Sequence, residues 1–370
     1  MARRTCPPPL RAPLRAVALT WVLSGGSAAA QEEPPRPTPE EIAERAARAE
    51  HSPLFVGTDP LAITLRGDID WLRDERSEVE ETEGTLTIDG GDEAVTLPVK
   101  VRARGNFRRD KRNCNFPPLR LNFATKSAEG TLFGGQDKLK LVTPCHDSRD
   151  NYQQLVLQEY LAYKVFELLT PLGYRTRLVH ITYEDVNGAY ETRTKTGFLI
   201  ESDDMMAERN QGEISQWDFF HPLRFDSQQS AVVALFQYMI GNTDFSAPYF
   251  HNAELVRLAD GRYVPVPYDF DFSGVVDAPY ATPDPSIPVK DVRERVFRGF
   301  CDERVDHAAL KTRFLGTRDA VRALYEGMGE LEDGQRKRAL EYYDRFYQVL
   351  LDDEKYEREI LRACIKIPGA

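Results

Sequence analysis

The feature that most restricts the fold of this chain is a change of period part-way along it. Between residues 54 and 141 the pattern is mostly that of strands; a long helical pattern begins at Asn151, and after a further hairpin the chain past residue 201 is mainly helical. Segments 61–65, 84–89 and 95–104 alternate as half-buried strands do, and Leu119–Phe123 and Lys138–Val142 continue the series. Asp89-Gly90-Gly91-Asp92 reads as a hairpin turn, and Pro98 predicts a strand position with a free edge. Asp150 is then placed to cap a long helix over Asn151–Leu169. Its apolar face carries Leu155, Ala162, Phe166 and Leu169, and Pro171 and Gly173 stop it. Segments 175–183 and 191–201 predict a hairpin across Val186-Asn187-Gly188. Ser227–Ile240 has Val232, Leu235, Phe236, Met239 and Ile240 at helical spacing. A short second hairpin, 254–258 with 262–267, turns at Ala259-Asp260-Gly261, and the C-terminal part is helical with heavily charged faces. Strands with one helix, then mainly helices with a small hairpin, is the order of a two-lobed α+β protein. The expected division is a β-rich lobe over 53–201 and a helical lobe over 202–370, with a ligand cleft between them.

The first block reads as an export leader. Arg3, Arg4, Arg11 and Arg15 precede the short apolar run 16–23, and Ala28-Ala29-Ala30 offers the small residues that signal peptidase requires, with a cut near Ala30. The apolar run is shorter than the roughly 20 residues that span a bilayer, so no stable membrane anchor is expected. Residues 31–52 form a proline-rich linker, in which Thr38-Pro39-Glu40-Glu41 signals the start of a short helix. Removing the leader's four arginines from the 48 basic residues leaves 44 against 59 acidic ones. That balance argues against nucleic acid or an anionic membrane surface as the main partner.

A secreted or periplasmic location also gives the cysteines a meaning. Cys114, Cys145, Cys301 and Cys364 remain after cleavage, lack zinc-site spacing, and allow three disulfide pairings. The favoured one joins Cys114 to Cys145, tying a loop to a strand end, and Cys301 to Cys364, pinning the C-terminal helix.

Chemistry concentrates in two acidic segments flanking the small hairpin. Gly241-Asn242-Thr243-Asp244 leaves the end of an apolar helix and runs through His251 to Asn252; Pro267-Tyr268-Asp269-Phe270-Asp271-Phe272-Ser273-Gly274 follows the hairpin. A hairpin returns the chain on itself, so Asn252 and Asp269 are expected together, with Asp244 projecting beside them. Oxygen ligands from two adjacent segments suit Mg²⁺, and a third acid can accept a hydroxyl proton. Helix, Asp loop, Asn, hairpin and Asp-Phe is also the order at a protein-kinase active site, with Asp as base and Asn and the later Asp as metal ligands. Here seven residues separate Asp244 from Asn252, against four in the usual kinase motif.

Together with Arg102-Ala103-Arg104-Gly105, Lys138-Leu139-Lys140-Leu141 and the helix after Asn151, these segments make the chain resemble the CotH-type secreted kinases (the spore-coat protein H family). The resemblance implies an atypical, strongly diverged two-lobed protein-kinase-like fold. It implies an exported phosphotransferase using ATP and Mg²⁺ or Mn²⁺ on Ser/Thr-type hydroxyls of an extracytoplasmic or surface protein. By the same resemblance Asp244 is the catalytic aspartate, and Asn252 and Asp269 hold metal beside Asp271. Lys140 or Lys138 contacts the ATP phosphates, with Glu159 as its helix partner. Arg104 stands at a strand end, where its guanidinium and nearby backbone N–H groups suit phosphate. Arg108, Arg109, Lys111 and Arg112 read as a solvated charged loop. A pseudokinase or surface-assembly module, or nucleotidyl transfer on the same fold, are the alternatives.

Overall fold

The computed structural model describes residues 37–89 and 94–367. The proposed cleavage site at Ala28–Ala30 and the turn residues from Gly90 lie outside them. The described chain opens with α1 (Pro39–Glu50), entered through a capping box: Thr38 Oγ1 accepts from the Glu41 N–H, and Glu41 accepts from the Thr38 N–H at 2.7 Å. The short α2 (Pro53–Val56) leads into a closed barrel.

The barrel strands are β1 (Leu61–Gly67), β2 (Thr82–Ile88), β3 (Val95–Ala103), β4 (Leu119–Phe123), β5 (Lys138–Val142), β6 (Thr176–Asp185) and β7 (Arg193–Ile200). Their order is β1-β2-β3-β4-β5-β7-β6, closed by parallel pairing of β6 with β1, all other pairs being antiparallel. Period-two alternation produces this: Leu97, Val99, Val101 and Ala103 point into the barrel and are buried, while Pro98 and Lys100 point out and are exposed. Pro98 pairs with Thr85 of β2, but β3 meets β4 only from Val99 onward. The proline therefore sits where β3 overhangs its neighbour, an edge within a closed barrel. The 175–201 hairpin belongs to this same sheet and closes it. Short helices α3 (Ile69–Asp74) and α4 (Thr125–Ala128) lie in its connections.

Between β5 and β6 runs α5 (Asn151–Leu169), the predicted helix. Asp150 stands at its N-cap position in an α-helical conformation and does not cap it. Its carboxylate accepts instead from Gln153 and Lys195. The helix is buried on nearly every face because it packs against β6 and β7 on one side and the C-terminal helices on another.

The C-terminal region holds α6 (Asp203–Arg209), β8 (Gly212–Ile214), α7 (Ser227–Ile240), β9 (Ala253–Leu258), β10 (Tyr263–Pro267), α8 (His307–Gly316), α9 (Arg318–Gly327), α10 (Asp333–Leu351) and α11 (Asp353–Tyr356), the last running on into a π-helical turn. The expected two-stranded hairpin is a three-stranded sheet, because β8 adds to β9. Residues 268–306 contain no helix or strand. Arginines tie this stretch to the end of α7: Arg295 donates to the carbonyls of Tyr238 and Met239 in its last turn, and also to Tyr342 O of α10. Arg298 donates to Thr243 O and Phe245 O. Both favoured disulfides are present, Cys114–Cys145 and Cys301–Cys364. The architecture is mixed α+β, a seven-stranded barrel with helices followed by a mainly helical region.

Candidate active site

Helix α7 ends at Gly241, whose φ of 68° turns the chain into the Asp244 loop. The Gly241 carbonyl accepts from the Gly274 N–H, and the Ile240 carbonyl from the Val275 N–H, both at 3.0 Å. The loop after α7 and the segment after β10 are therefore fastened to each other at the helix end.

Within the loop, Ser246 and His251 exchange backbone hydrogen bonds of 2.9 and 3.0 Å, pinching the intervening residues into an excursion. Phe250 and Asn252 take left-handed conformations, with φ of 54° and 51°, as does Asp269, at 61°. Side chains with a Cβ adopt this region at a cost of roughly 1–3 kcal/mol each, and such residues cluster at functional sites. Asn252 Nδ2 donates to Asp244 O at 2.7 Å and to Asp244 Oδ2 at 3.0 Å. The Asp244 N–H donates to Asn242 Oδ1 at 3.0 Å, and His251 Nε2 lies 2.8 Å from Asp244 Oδ1. The amide nitrogen of Asn252 is thus used up in holding Asp244, which leaves its oxygen as the group available to a ligand.

Register brings Asp269 alongside. Pro267 pairs with Ala253, and the Tyr268 N–H donates to Asn252 O at 3.0 Å. The Asp269 N–H donates to Tyr163 Oη of α5 at 2.8 Å, which fixes the left-handed turn from the barrel side. Two residues on, Asp271 is buried, and its Oδ2 accepts from Tyr280 Oη at 3.0 Å.

Arg108 is the buried cation among these acids. The sequence placed it in a solvated charged loop, yet it is buried, with Nη1 3.6 Å from Glu159 and 3.7 Å from Asp271 and Nη2 donating to Thr143 O. Of the loop's charges only Arg108 turns inward, while Lys111 and Arg112 are exposed, and nothing in its local sequence marks it out. The expected ion pair between Glu159 and a strand lysine is accordingly replaced: Glu159 pairs with Arg108. Lys140 bonds to Asp203 at 2.7 Å and sits over the rings of Tyr268 and Tyr174, and Lys138 is exposed beside Asp137. The physical reason is strand geometry. Lys140 points off the outer face of β5 toward α6, away from α5.

A cleft of about 380 Å³ collects these groups. Arg104, Arg108, Glu159, Tyr163, Asp244, His251, Asn252, Asp269 and Asp271 line it, while Lys138 and Lys140 do not. Its electrostatics are those of crowded acids. Burial, then the Asp269 charge, push Asp271 up to about 8 against the pull of Arg108. Burial and Asp271 likewise hold Glu159 well above the usual carboxylate range. Burial opposes the Arg108 charge, but Tyr280, Asp271 and Glu159 outweigh it and keep the guanidinium protonated. A larger cavity of about 810 Å³, between α7, α8 and the C-terminal segment, is remote from all of these acids.

Among the described residues no three His, Cys, Asp or Glu side chains stand together at metal-binding geometry. The donor set still fits a hard divalent cation. Asn252 offers an uncommitted amide oxygen, Asp269 offers a carboxylate, and Mg²⁺ takes the rest of its shell from phosphate and water. No protein-family model matches the chain, and no curated protein matches it.

Proposed function

We propose that this protein is an exported, CotH-like phosphotransferase that transfers phosphate from ATP to Ser/Thr-type hydroxyls of extracytoplasmic or surface proteins. The observation carrying this reading is the coincidence of Asp244, Asn252 and Asp269 around one cleft, each held by a named contact and two of them in left-handed backbone. Asp244 would accept the acceptor's proton, with His251 and Asn252 fixing the carboxylate. Asn252 and Asp269 would hold Mg²⁺ or Mn²⁺, which would supply charge neutralisation for the phosphates. Asp271 would support that site from beneath, and Arg104 would face the phosphates from the barrel. Arg108 would take the place on Glu159 that the resemblance assigned to Lys140 or Lys138. The paired disulfides support an extracytoplasmic setting. No helix among the described residues is long and apolar enough to cross a membrane.

The test is nucleotide affinity by calorimetry with and without Mg²⁺, beside intact-mass measurement of candidate acceptors. Asp269→Ala should abolish metal-dependent nucleotide binding and transfer, whereas Asp244→Ala should bind nucleotide like the parent and transfer nothing. Asn252→Ala should fall between. An Asp269→Ala protein that binds and transfers like the parent would sink the assignment. Nucleotide binding with no transfer to any acceptor would favour a pseudokinase, and a nucleotide-sized mass gain would favour nucleotidyl transfer.

A further inference from the structure

On the outer face of the barrel, strand register sets cations side by side. Arg102 of β3 pairs with Arg120 of β4, and Arg120 pairs with Lys140 of β5. Arg104 lies two residues beyond Arg102 on the same face and reaches the cleft. Like charges opposite one another in a sheet are destabilising, so such a row needs a counter-charge. Lys140 has Asp203, and Arg102 has Glu81 at the long distance of 3.8 Å. Arg104 and Arg120 form no ion pair or side-chain hydrogen bond among the described residues, and Arg120 Nε is buried without a partner. A buried, unpaired donor costs stability unless something absent from the chain itself satisfies it.

We infer that Arg102, Arg104 and Arg120 form an oxyanion site for a phosphate group, on the barrel face where it meets the cleft. Neighbouring guanidiniums present planar forks of N–H donors, which match the several oxygens and the double charge of phosphate better than a single carboxylate. Through Arg104 this site extends the phosphate contact of the phosphotransfer reading, but it needs no metal and no catalysis, so it is tested separately. The phosphate belongs either to the tail of a nucleotide or to a phosphoryl group on another molecule.

The probe is inorganic pyrophosphate, titrated calorimetrically into the full chain in metal-free buffer. Arg120→Gln and Arg102→Gln should each weaken its binding about 10- to 100-fold. Lys100→Gln, an exposed cation on the same face, should leave it unchanged. Thermal unfolding without ligand gives a second reading: Arg120→Gln should unfold no lower than the parent, because repulsion has been removed, and should lose the stabilisation that pyrophosphate gives the parent. Should Arg120→Gln fail to fold, Arg102→Gln carries the test. Competition between metal-free ATP and pyrophosphate would assign the site to nucleotide; simultaneous binding, with displacement by a phosphoserine peptide, would assign it to a phosphorylated partner. Both outcomes support the site. Absence of pyrophosphate binding, equal binding by the arginine variants, or an equal loss in Lys100→Gln would overturn it. A parent that binds pyrophosphate but not Mg²⁺-ATP would sink the phosphotransfer reading and leave this site standing.

Discussion

Gly241→Ala should disable the protein by unlocking the two acidic segments from each other. Gly241 has φ of 68°, and a Cβ there would lie 1.9 Å from Tyr342 Oη and 3.1 Å from Tyr342 Cζ. The left-handed backbone costs an alanine about 1–2 kcal/mol. Tyr342 must also move, which forfeits its hydrogen bond to Arg293 O, about 1 kcal/mol. Its ring carries the Arg295 guanidinium at 3.6 Å, and disturbing that contact costs about 1 kcal/mol more. The total is about 3–4 kcal/mol, to be read from urea denaturation with the disulfides intact. Tyr342→Phe removes the clashing oxygen, so Gly241→Ala/Tyr342→Phe should be less destabilised than the sum of the two single changes, with a coupling of about 1–2 kcal/mol. Additive single changes would refute the steric account. A loss under about 1 kcal/mol for Gly241→Ala alone would refute the left-handed cost as well.

Non-reducing peptide mapping of exported protein should recover Cys114–Cys145 and Cys301–Cys364, and Cys114→Ser with Cys145→Ser should cost about 3 kcal/mol, the value for closing a loop of that order. Arg108→Met should destabilise by about 3–5 kcal/mol by stranding Glu159 and Asp271, and Arg108→Met with Glu159→Gln should recover part of it in denaturation. Asp185 is lowered because, although burial opposes its charge, backbone N–H groups of Ala189, Asp70, Tyr190 and Ile69 together outweigh that. A carboxylate with a depressed folded pKa stabilises above its unfolded value, near 3.9, and that stability is lost as pH falls through the folded value. Asp185→Asn should therefore lower Tm at neutral pH and flatten the acid limb of the stability curve; an unchanged limb would refute the part these backbone hydrogen bonds play.

Period and punctuation made most elements legible before any coordinates. The helices Asn151–Leu169 and Ser227–Ile240 have the expected bounds, and Thr38-Pro39-Glu40-Glu41 starts a helix as written. Closure of the barrel was not legible. Pairing of β1 with β6 joins residues more than a hundred apart, and alternation gives the facing of a strand but not its neighbour. Strand β8, three residues long, has too little pattern to read. At the site, the hairpin argument brought Asn252 beside Asp269. It could not assign Glu159 its partner, because which way Lys140 and Arg108 point depends on packing between distant segments. His251, Tyr163 and Tyr280 touch the predicted acids through contacts that only the fold creates, and only His251 stood inside a motif where it could be noticed.

Charge is sorted across this cleft, and the sorting gives the site its direction. On one wall Arg108 is committed to Glu159 and Asp271, and the Asp269 carboxylate beside them has no ion pair among the described residues. On the barrel side Arg104 lines the cleft with no acidic partner among the described residues, and Arg120 stands behind it on the outer face, likewise unpaired. Arg104 and Asp269 line the same cleft without forming an ion pair across it. A bare phosphate would satisfy the arginines and repel the acids; a bare divalent cation would do the reverse. A polyphosphate carrying its own divalent cation meets both demands at once, cation toward Asn252 and Asp269, phosphate oxygens toward the arginine face. Such a ligand should bind more tightly as a complex than the separate affinities of its parts suggest. The magnitude of that coupling, measured by titrating pyrophosphate with and without Mg²⁺, tells whether the two faces act as one site. Additive affinities would mean that they do not.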